Sequence, residues 1–279
     1  MRIVISEDSD AVADYVAGYI IERIRDFSPS KDRPFVLGLP TGGSPLKTYQ
    51  RLIQAYREGR ITFRNVITFN MDEYVGLPRE HPQSYYYFMK ANFFDFVDIP
   101  EENRNLLDGN VPDLLHECQR YEDKIRQVGG IHLFIAGIGT DGHLAFNEPG
   151  SSLDSLTRVK SLNDETIASN ARFFDNDVRR VPTMALTVGI RTVLQAQSVL
   201  VIATGASKAV AVAQCVEGSV SHSHPITALQ WHRSAVLCLD RDATMELKVK
   251  TVRYFEGLLK REDELRRRQE RAELTLAKM

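Results

Sequence analysis

The feature that most constrains this chain is a set of short, mostly continuous apolar runs: Phe35–Leu39, Val66–Asn70, Ile131–Ala136, Ser198–Thr204 and Ala235–Leu239. A strand with one wet face alternates apolar and polar residues. These do not, as expected of strands in a parallel sheet covered by helices on both faces. Arg2–Ile5 reads as a first strand, with Ser6 to Ser9 offering N-cap oxygens to the segment that follows. There Val12, Ala13, Val16, Ala17, Ile20, Ile21 and Ile24 form the stripe of an amphipathic helix. Further helical patterns lie roughly at 45–58, 83–95, 112–128, 206–217 and 243–260, between the runs. This alternation predicts a three-layer, doubly wound α/β fold. Ligands of such folds bind beyond the carboxyl ends of the strands.

Bulk properties narrow the function classes. The chain has 279 residues, 43% of them hydrophobic, and no composition break before residue 255, which predicts one domain over 1–258 and a charged tail over 259–279. With 35 basic and 37 acidic residues, it lacks the basic surplus of a nucleic-acid binder. Cys118, Cys215 and Cys238 match neither a disulfide framework nor a zinc pattern, which points to a reducing compartment. The first residues lack a signal peptide's apolar region, and no apolar run approaches a membrane span. The expectation is a cytoplasmic protein with neither membrane nor nucleic-acid partner.

Four strand exits hold the chemistry. After Leu39, the run Pro40-Thr41-Gly42-Gly43-Ser44-Pro45 opens into a helix. Consecutive glycines let backbone amides approach an anion at a helix N-terminus, although an ordinary tight turn has the same composition. After Phe69 and Asn70 come Asp72 and Glu73, adjacent carboxylates that are costly to bury unless solvated, paired or used. The third exit, Gly137-Ile138-Gly139-Thr140-Asp141-Gly142-His143, continues to Glu148. It satisfies G-x-G-x-x-G, but an irregular run of titratable residues replaces the helix of a dinucleotide site. A histidine flanked by carboxylates is suited to shuttling protons near neutral pH. The fourth exit, Thr204-Gly205-Ala206-Ser207-Lys208, puts a cation at a helix N-terminus, where an accompanying anion makes it favourable. His222, His224 and His232 are too weak a pattern for zinc, and neither a metal nor an organic cofactor is expected.

The strings LGLPTGGSP (37–45), VITFNMDEYVGLP (66–78), GTDGHLAFNEPGSSL (139–153) and MELKVKTVRYF (245–255) resemble the glucosamine-6-phosphate deaminase family, in register from residue 1 to about 258. The wider superfamily, 6-phosphogluconolactonase included, shares the Gly-rich and D-G-H loops. N-M-D-E-Y and F-N-E-P mark the deaminase branch. The resemblance implies a Rossmann-like fold with a mobile lid at about 151–180. It implies conversion of glucosamine 6-phosphate and water to fructose 6-phosphate and ammonia. By resemblance, His143 opens the sugar ring with Asp141 and Glu148 orienting it, and Asp72 carries a proton from C2 to C1. Thr41, Gly42, Gly43, Ser44, Arg172 and Lys208 take the phosphate.

The same resemblance extends to an activator site for N-acetylglucosamine 6-phosphate at Ser151, Ser152, Arg158, Lys160, Ser161 and Tyr254, and to a homohexamer. Ser161 stands where a threonine is usual, and Arg158 and Lys160 also fit a plain solvated strand. Ser-His-Ser-His-Pro (221–225) departs from the family's Asn-His-Met-Trp. A lactonase would need no base at position 72, and a sensor would bind without turnover. Against a DNA-reading sensor stand the missing helix-turn-helix extension and basic stripe.

Overall fold

A computed structural model describes the backbone of residues 1–276 and the side chains within that span except those of 263, 266 and 269–276. The last three residues of the charged tail lie outside the described residues. In chain order the strands are β1 (Arg2–Ser6), β2 (Phe35–Leu39), β3 (Val66–Asn70), β4 (Asp72–Tyr74), β5 (Arg104–Asn105), β6 (Leu133–Gly137), β7 (Arg158–Ser161), β8 (Met184–Thr187), β9 (Ser198–Ala203) and β10 (Ala235–Asp240). The helices are α1 (Ser9–Phe27), α2 (Gly43–Arg57), α3 (Tyr85–Asn92), α4 (Leu114–Gln127), α5 (Asp164–Asn170), α6 (Ile190–Leu194), α7 (Ala209–Glu217) and α8 (Val249–Leu276).

Seven strands form one parallel sheet in the order β1-β10-β9-β6-β2-β3-β5. Its strands send alternate residues into two cores. Val199 and Val201 of β9 join Tyr121 and Ile125 of α4 on one face. Leu200 and Ile202 join Val12, Val16, Ile20 and Ile24 of α1 on the other. Both faces are dry, which accounts for the unalternating apolar runs. Each such side chain, fully buried, contributes roughly 1.5–3 kcal/mol. From β2 the chain winds outward to β3 and β5, whereas from β6 it winds the other way to β9 and β10. The reversal opens a crevice beyond the carboxyl ends of β2 and β6.

A second sheet, absent from the sequence reading, has the antiparallel order β4-β8-β7. It pairs Asp72 and Arg158 each with Thr187. Met71 bridges the two sheets: its amide donates to the Leu39 carbonyl at 3.2 Å, and its carbonyl accepts from the Val188 amide at 2.8 Å. These strands have three or four residues, too few for a period to declare itself.

Other boundaries shift by a few residues. Within the expected Ser6 to Ser9 run it is Asp8 that caps α1, its Oδ1 accepting from the Asp10 and Ala11 amides. The 206–217 segment begins with a tight turn over Ala206–Lys208. The last helix starts at Val249 and runs unbroken into the charged segment. Leu259 packs on the α1 side of the sheet, and Glu262 Oε2 lies 2.5 Å from Arg2 Nη2. Among the described residues, no helix is long and apolar enough to cross a membrane.

Candidate active site

At the end of β2 the chain turns through Gly42, whose φ of +88° favours glycine. The turn delivers Gly43 and Ser44 into the first turn of α2, which has no side-chain cap. The amides that begin a helix have no partner within it and attract anions. Thr41, Gly42, Gly43 and Ser44 all line a cavity of about 310 Å³ in the switch-point crevice.

The carboxylates after β3 part company. Alternation along β4 sends neighbouring side chains to opposite faces. Asp72 lines the cavity, yet it is buried, and its Oδ1 lacks a hydrogen-bond partner. Burial, reinforced by the nearby Glu73 charge, pushes its pKa up to about 8. Glu73 turns away and caps α3, accepting from the amides of Tyr74, Tyr85 and Tyr86 at 2.9–3.0 Å. Burial raises its pKa too, against those hydrogen bonds.

The β6 exit folds back on itself. Gly139 donates its amide to the His143 carbonyl at 2.9 Å, and Gly142, at φ +84°, donates to the Gly139 carbonyl at 3.1 Å. A Cβ on Gly139 would sit 2.2 Å from His143 Nδ1, so a side chain there excludes the imidazole. Asp141 Oδ1 accepts from the His143 amide at 3.1 Å and lies 2.7 Å from Nδ1. The ring contact is in ion-pair range but bent from hydrogen-bond alignment, leaving Nδ1 without an aligned partner. Burial opposes ionisation of Asp141, but His143 outweighs it and holds the carboxyl at about 2. Both residues line the cavity.

Glu148 is placed differently. Its Oε1 accepts from the Asn163 amide at 3.1 Å and from Thr166 Oγ1 at 2.6 Å, and Oε2 lies 3.8 Å from Lys160 Nζ. The carboxylate is buried against the segment that leads into α5 and does not line the cavity. Asp141, not Glu148, is the carboxylate beside the imidazole.

Lys208 and Arg172 reach the cavity from the β9 exit and the turn after α5. Burial holds the Lys208 ammonium below its ordinary pKa, while Asp141 pulls it up and Arg172 pushes it down. A bound anion would remove that conflict. Asp240, at the end of β10, fixes the loop before Lys208 by accepting the Gly205 amide at 2.9 Å. The segment carrying α5 packs Leu162, Ile167, Ala171 and Phe174 against Tyr74 and Phe146.

The cavity also holds Tyr85 and Asn170, which the sequence did not single out. Asn170 Nδ2 donates to the Tyr74 hydroxyl at 2.9 Å, and the Tyr85 ring lies parallel to that of Phe146. A run of three tyrosines reads as core, and nothing in its spacing marks the ring facing a cavity.

Of the six residues expected at a second sugar-phosphate site, Arg158 and Lys160 lie beside Asn147 and Glu148, while Tyr254 stands apart from them in sequence, on α8. Arg158 Nη1 donates to Asn147 Oδ1 at 2.7 Å. Ser151 is buried, with its hydroxyl unpartnered. Ser152 caps the turn to Asp154, its hydroxyl accepting that amide at 3.2 Å. Ser161 ends β7 in solvent. Tyr254 is 60% exposed on α8, a helix that packs along β1. No cluster of three or more His, Cys, Asp or Glu side chains suited to a metal ion occurs among the described residues.

Comparison with known proteins agrees with this architecture. The family model for glucosamine-6-phosphate isomerases and 6-phosphogluconolactonase matches residues 7–238. A glucosamine-6-phosphate deaminase of Pasteurella multocida strain Pm70 is 57% identical over 258 residues, covering 92% of this chain and 97% of that protein. A deaminase of the same name from Yersinia enterocolitica serotype O:8 is 55% identical over the same shares. Among solved structures, a monomeric glucosamine-6-phosphate deaminase superposes with a TM-score of 0.84 at 36% identity, covering 88% of this chain and all of its own. The 6-phosphogluconolactonase of Trypanosoma brucei, 20% identical over 88% of this chain and 98% of its own, shares the fold with a TM-score of 0.70. The chain belongs to the glucosamine-6-phosphate isomerase and 6-phosphogluconolactonase family.

Proposed function

We propose that this protein converts glucosamine 6-phosphate and water to fructose 6-phosphate and ammonia. The observation that carries the reading is the shared cavity: a buried, unpartnered Asp72 and the Asp141–His143 pair open onto one space ringed by anion-binding groups. The names of the close relatives agree with it. A lactonase needs the anion cradle and the histidine loop but has no use for a buried base at position 72.

The phosphate is held by the amides and hydroxyls of Thr41 to Ser44, with Lys208 and Arg172. His143, oriented by Asp141, moves a proton from the anomeric hydroxyl to the ring oxygen and opens the pyranose. The aldehyde so formed acidifies the C2–H bond. Asp72 takes that proton and returns it to C1, while a proton of the C2 ammonium passes to O1, leaving a protonated imine at C2 and a hydroxyl at C1. Water adds to the imine, and ammonia departs as the C2 ketone forms. One base serving two adjacent carbons must be shielded from water, as Asp72 is. Positioned acid–base groups typically contribute about 10²–10⁴-fold each. No step needs a cofactor or metal. Glu148 belongs to this scheme as a group that reaches the imidazole when the α5 segment, acting as a lid over 151–180, releases it.

The test is incubation with glucosamine 6-phosphate while ammonia and fructose 6-phosphate are followed by coupled assays. Equal release of both products is expected, and no turnover at any substrate concentration would overturn the reading.

Regulation and assembly belong to the same proposal. Arg158 and Lys160 touch Asn147 and Glu148, so an anion drawn to these cations would act on the catalytic loop. N-acetylglucosamine 6-phosphate is the activator expected, and a velocity curve whose shape it does not change would dismiss it. The protein is expected to work in the cytoplasm as a homohexamer, a state that sedimentation velocity reads directly.

A further inference from the structure

The 221–225 segment departs from the family pattern, yet it touches the catalytic loop. His224 Nδ1 lies 3.1 Å from the carbonyl oxygen of Asp141. A carbonyl oxygen only accepts, so Nδ1 carries the hydrogen of this contact. The Ile226 amide, two residues on, donates to the carbonyl of Gly142 at 2.9 Å. These two donors meet the two peptide groups between Asp141 and His143 from one side. From the other, the Gly142 amide is held by the Gly139 carbonyl, and the His143 amide by Asp141 Oδ1. Both peptide planes are therefore fixed at both ends.

The anchor is itself rigid. The Ser221 carbonyl accepts the His224 amide at 3.1 Å. The His224 carbonyl in turn accepts from the Thr227 amide and from Thr227 Oγ1 at 2.9 and 2.7 Å. Pro225 keeps the residue before it out of the helical region, and His224 sits at φ −136° and ψ 83°. A Cβ on Gly142 would approach the His224 Cβ to 3.2 Å and its ring Nδ1 to 3.3 Å, so loop and side chain are in near contact.

We infer that His224 is a positioning residue for the reaction: through the Asp141 carbonyl it fixes the peptide that sets the Asp141 carboxylate against the His143 imidazole. The inference rests on the deaminase reading for its kinetic consequence, but its structural content can be read without turnover.

Three variants separate the hydrogen bond from mere bulk. His224→Phe keeps a ring without the donor, His224→Gln keeps a donor without the ring, and His224→Ala removes both. Thermal melting first establishes that each is folded. In His224→Phe, kcat should fall on the order of tenfold, the cost of one hydrogen bond expressed in the transition state, with KM nearly unchanged because the anion cradle lies on other loops. His224→Gln should recover most of that loss. In hydrogen exchange, the peptide spanning 137–148 should exchange faster in His224→Phe and near the wild-type rate in His224→Gln. Unchanged exchange in His224→Phe overturns the assignment whether or not the wild type turns over. Equal kcat in wild type and His224→Phe, with ammonia release established, overturns it independently. Failure of the wild type to release ammonia, with exchange responding as expected, overturns only the deaminase reading.

Discussion

Asp72 and Glu73 are consecutive in sequence and opposite in fate: one carboxylate faces the cavity with an oxygen unpartnered, and the other accepts three backbone amides and caps α3. The pair divides the labour of a costly burial. Glu73 is held by donors that satisfy it, and Asp72 is left with the raised proton affinity a carbon base needs.

The raised pKa of Asp72 makes the folded protein prefer its protonated form. This preference contributes stability that is fully present below the unfolded value near 4 and is lost as pH rises through about 8. Asp72→Asn, which needs no proton, should therefore abolish deamination while melting higher than wild type at pH 8. The difference should vanish near pH 4. Superposable melting curves across that range would refute the assigned burial cost.

The same group predicts the pH profile. In free enzyme, kcat/KM should rise with pH through a group titrating near 8, as the base loses its proton. The limb seen in kcat should lie at lower pH, because the substrate's ammonium favours the carboxylate. Coincident limbs, or none between pH 6 and 9, would point to another base.

Gly139→Ala tests the packing of the imidazole. The added methyl would occupy space within 2.2 Å of His143 Nδ1, so ring or loop must move. A displacement of this kind costs about 10²-fold in kcat while leaving phosphate affinity intact. Wild-type kcat in this variant would show that His143 does not need its observed position.

Lys208→Met should raise KM for the phosphorylated sugar by about 10–100-fold, on the order of 1.4–2.8 kcal/mol for a partly buried cation meeting an anion. Inorganic phosphate, titrated by calorimetry, should weaken in parallel. Equal phosphate affinity in wild type and variant would remove Lys208 from the cradle.

His132 gives a prediction unconnected with catalysis. Its Nδ1 accepts the Val36 amide at 2.9 Å, so the neutral ring holds the start of β2. Burial first, then Arg23 and Arg33, lower its pKa. A histidine favoured neutral when folded contributes stability that is full above the unfolded value near 6.5 and is lost as pH falls toward the folded one. His132→Asn, whose side-chain oxygen can accept at any pH, should flatten the stability profile between pH 6.5 and 5. An unchanged slope would mean that another group titrates there.

What the sequence determined by itself was the order of strands and helices, the parallel sheet and the loops where chemistry would lie. Burial on both faces of a strand suppresses alternation, and a local string can report that. It also marked Gly42, Asp141 and His143, because glycines and titratable groups at strand exits are legible as composition, whereas Asp72 and Lys208 stood out through the family resemblance. Tertiary structure alone decided which carboxylate serves which purpose. Glu148 and Asp141 flank His143 alike in sequence, yet only Asp141 lies against the imidazole, while Glu148 turns to Asn163, Thr166 and Lys160. The small β4-β8-β7 sheet, the Tyr85 ring in the cavity and the contact of His224 with the Asp141 carbonyl join residues between 23 (Ser161 to Met184) and 115 (Asp72 to Thr187) positions apart. No local period encodes such meetings, since they arise when distant pieces of chain settle on a shared surface.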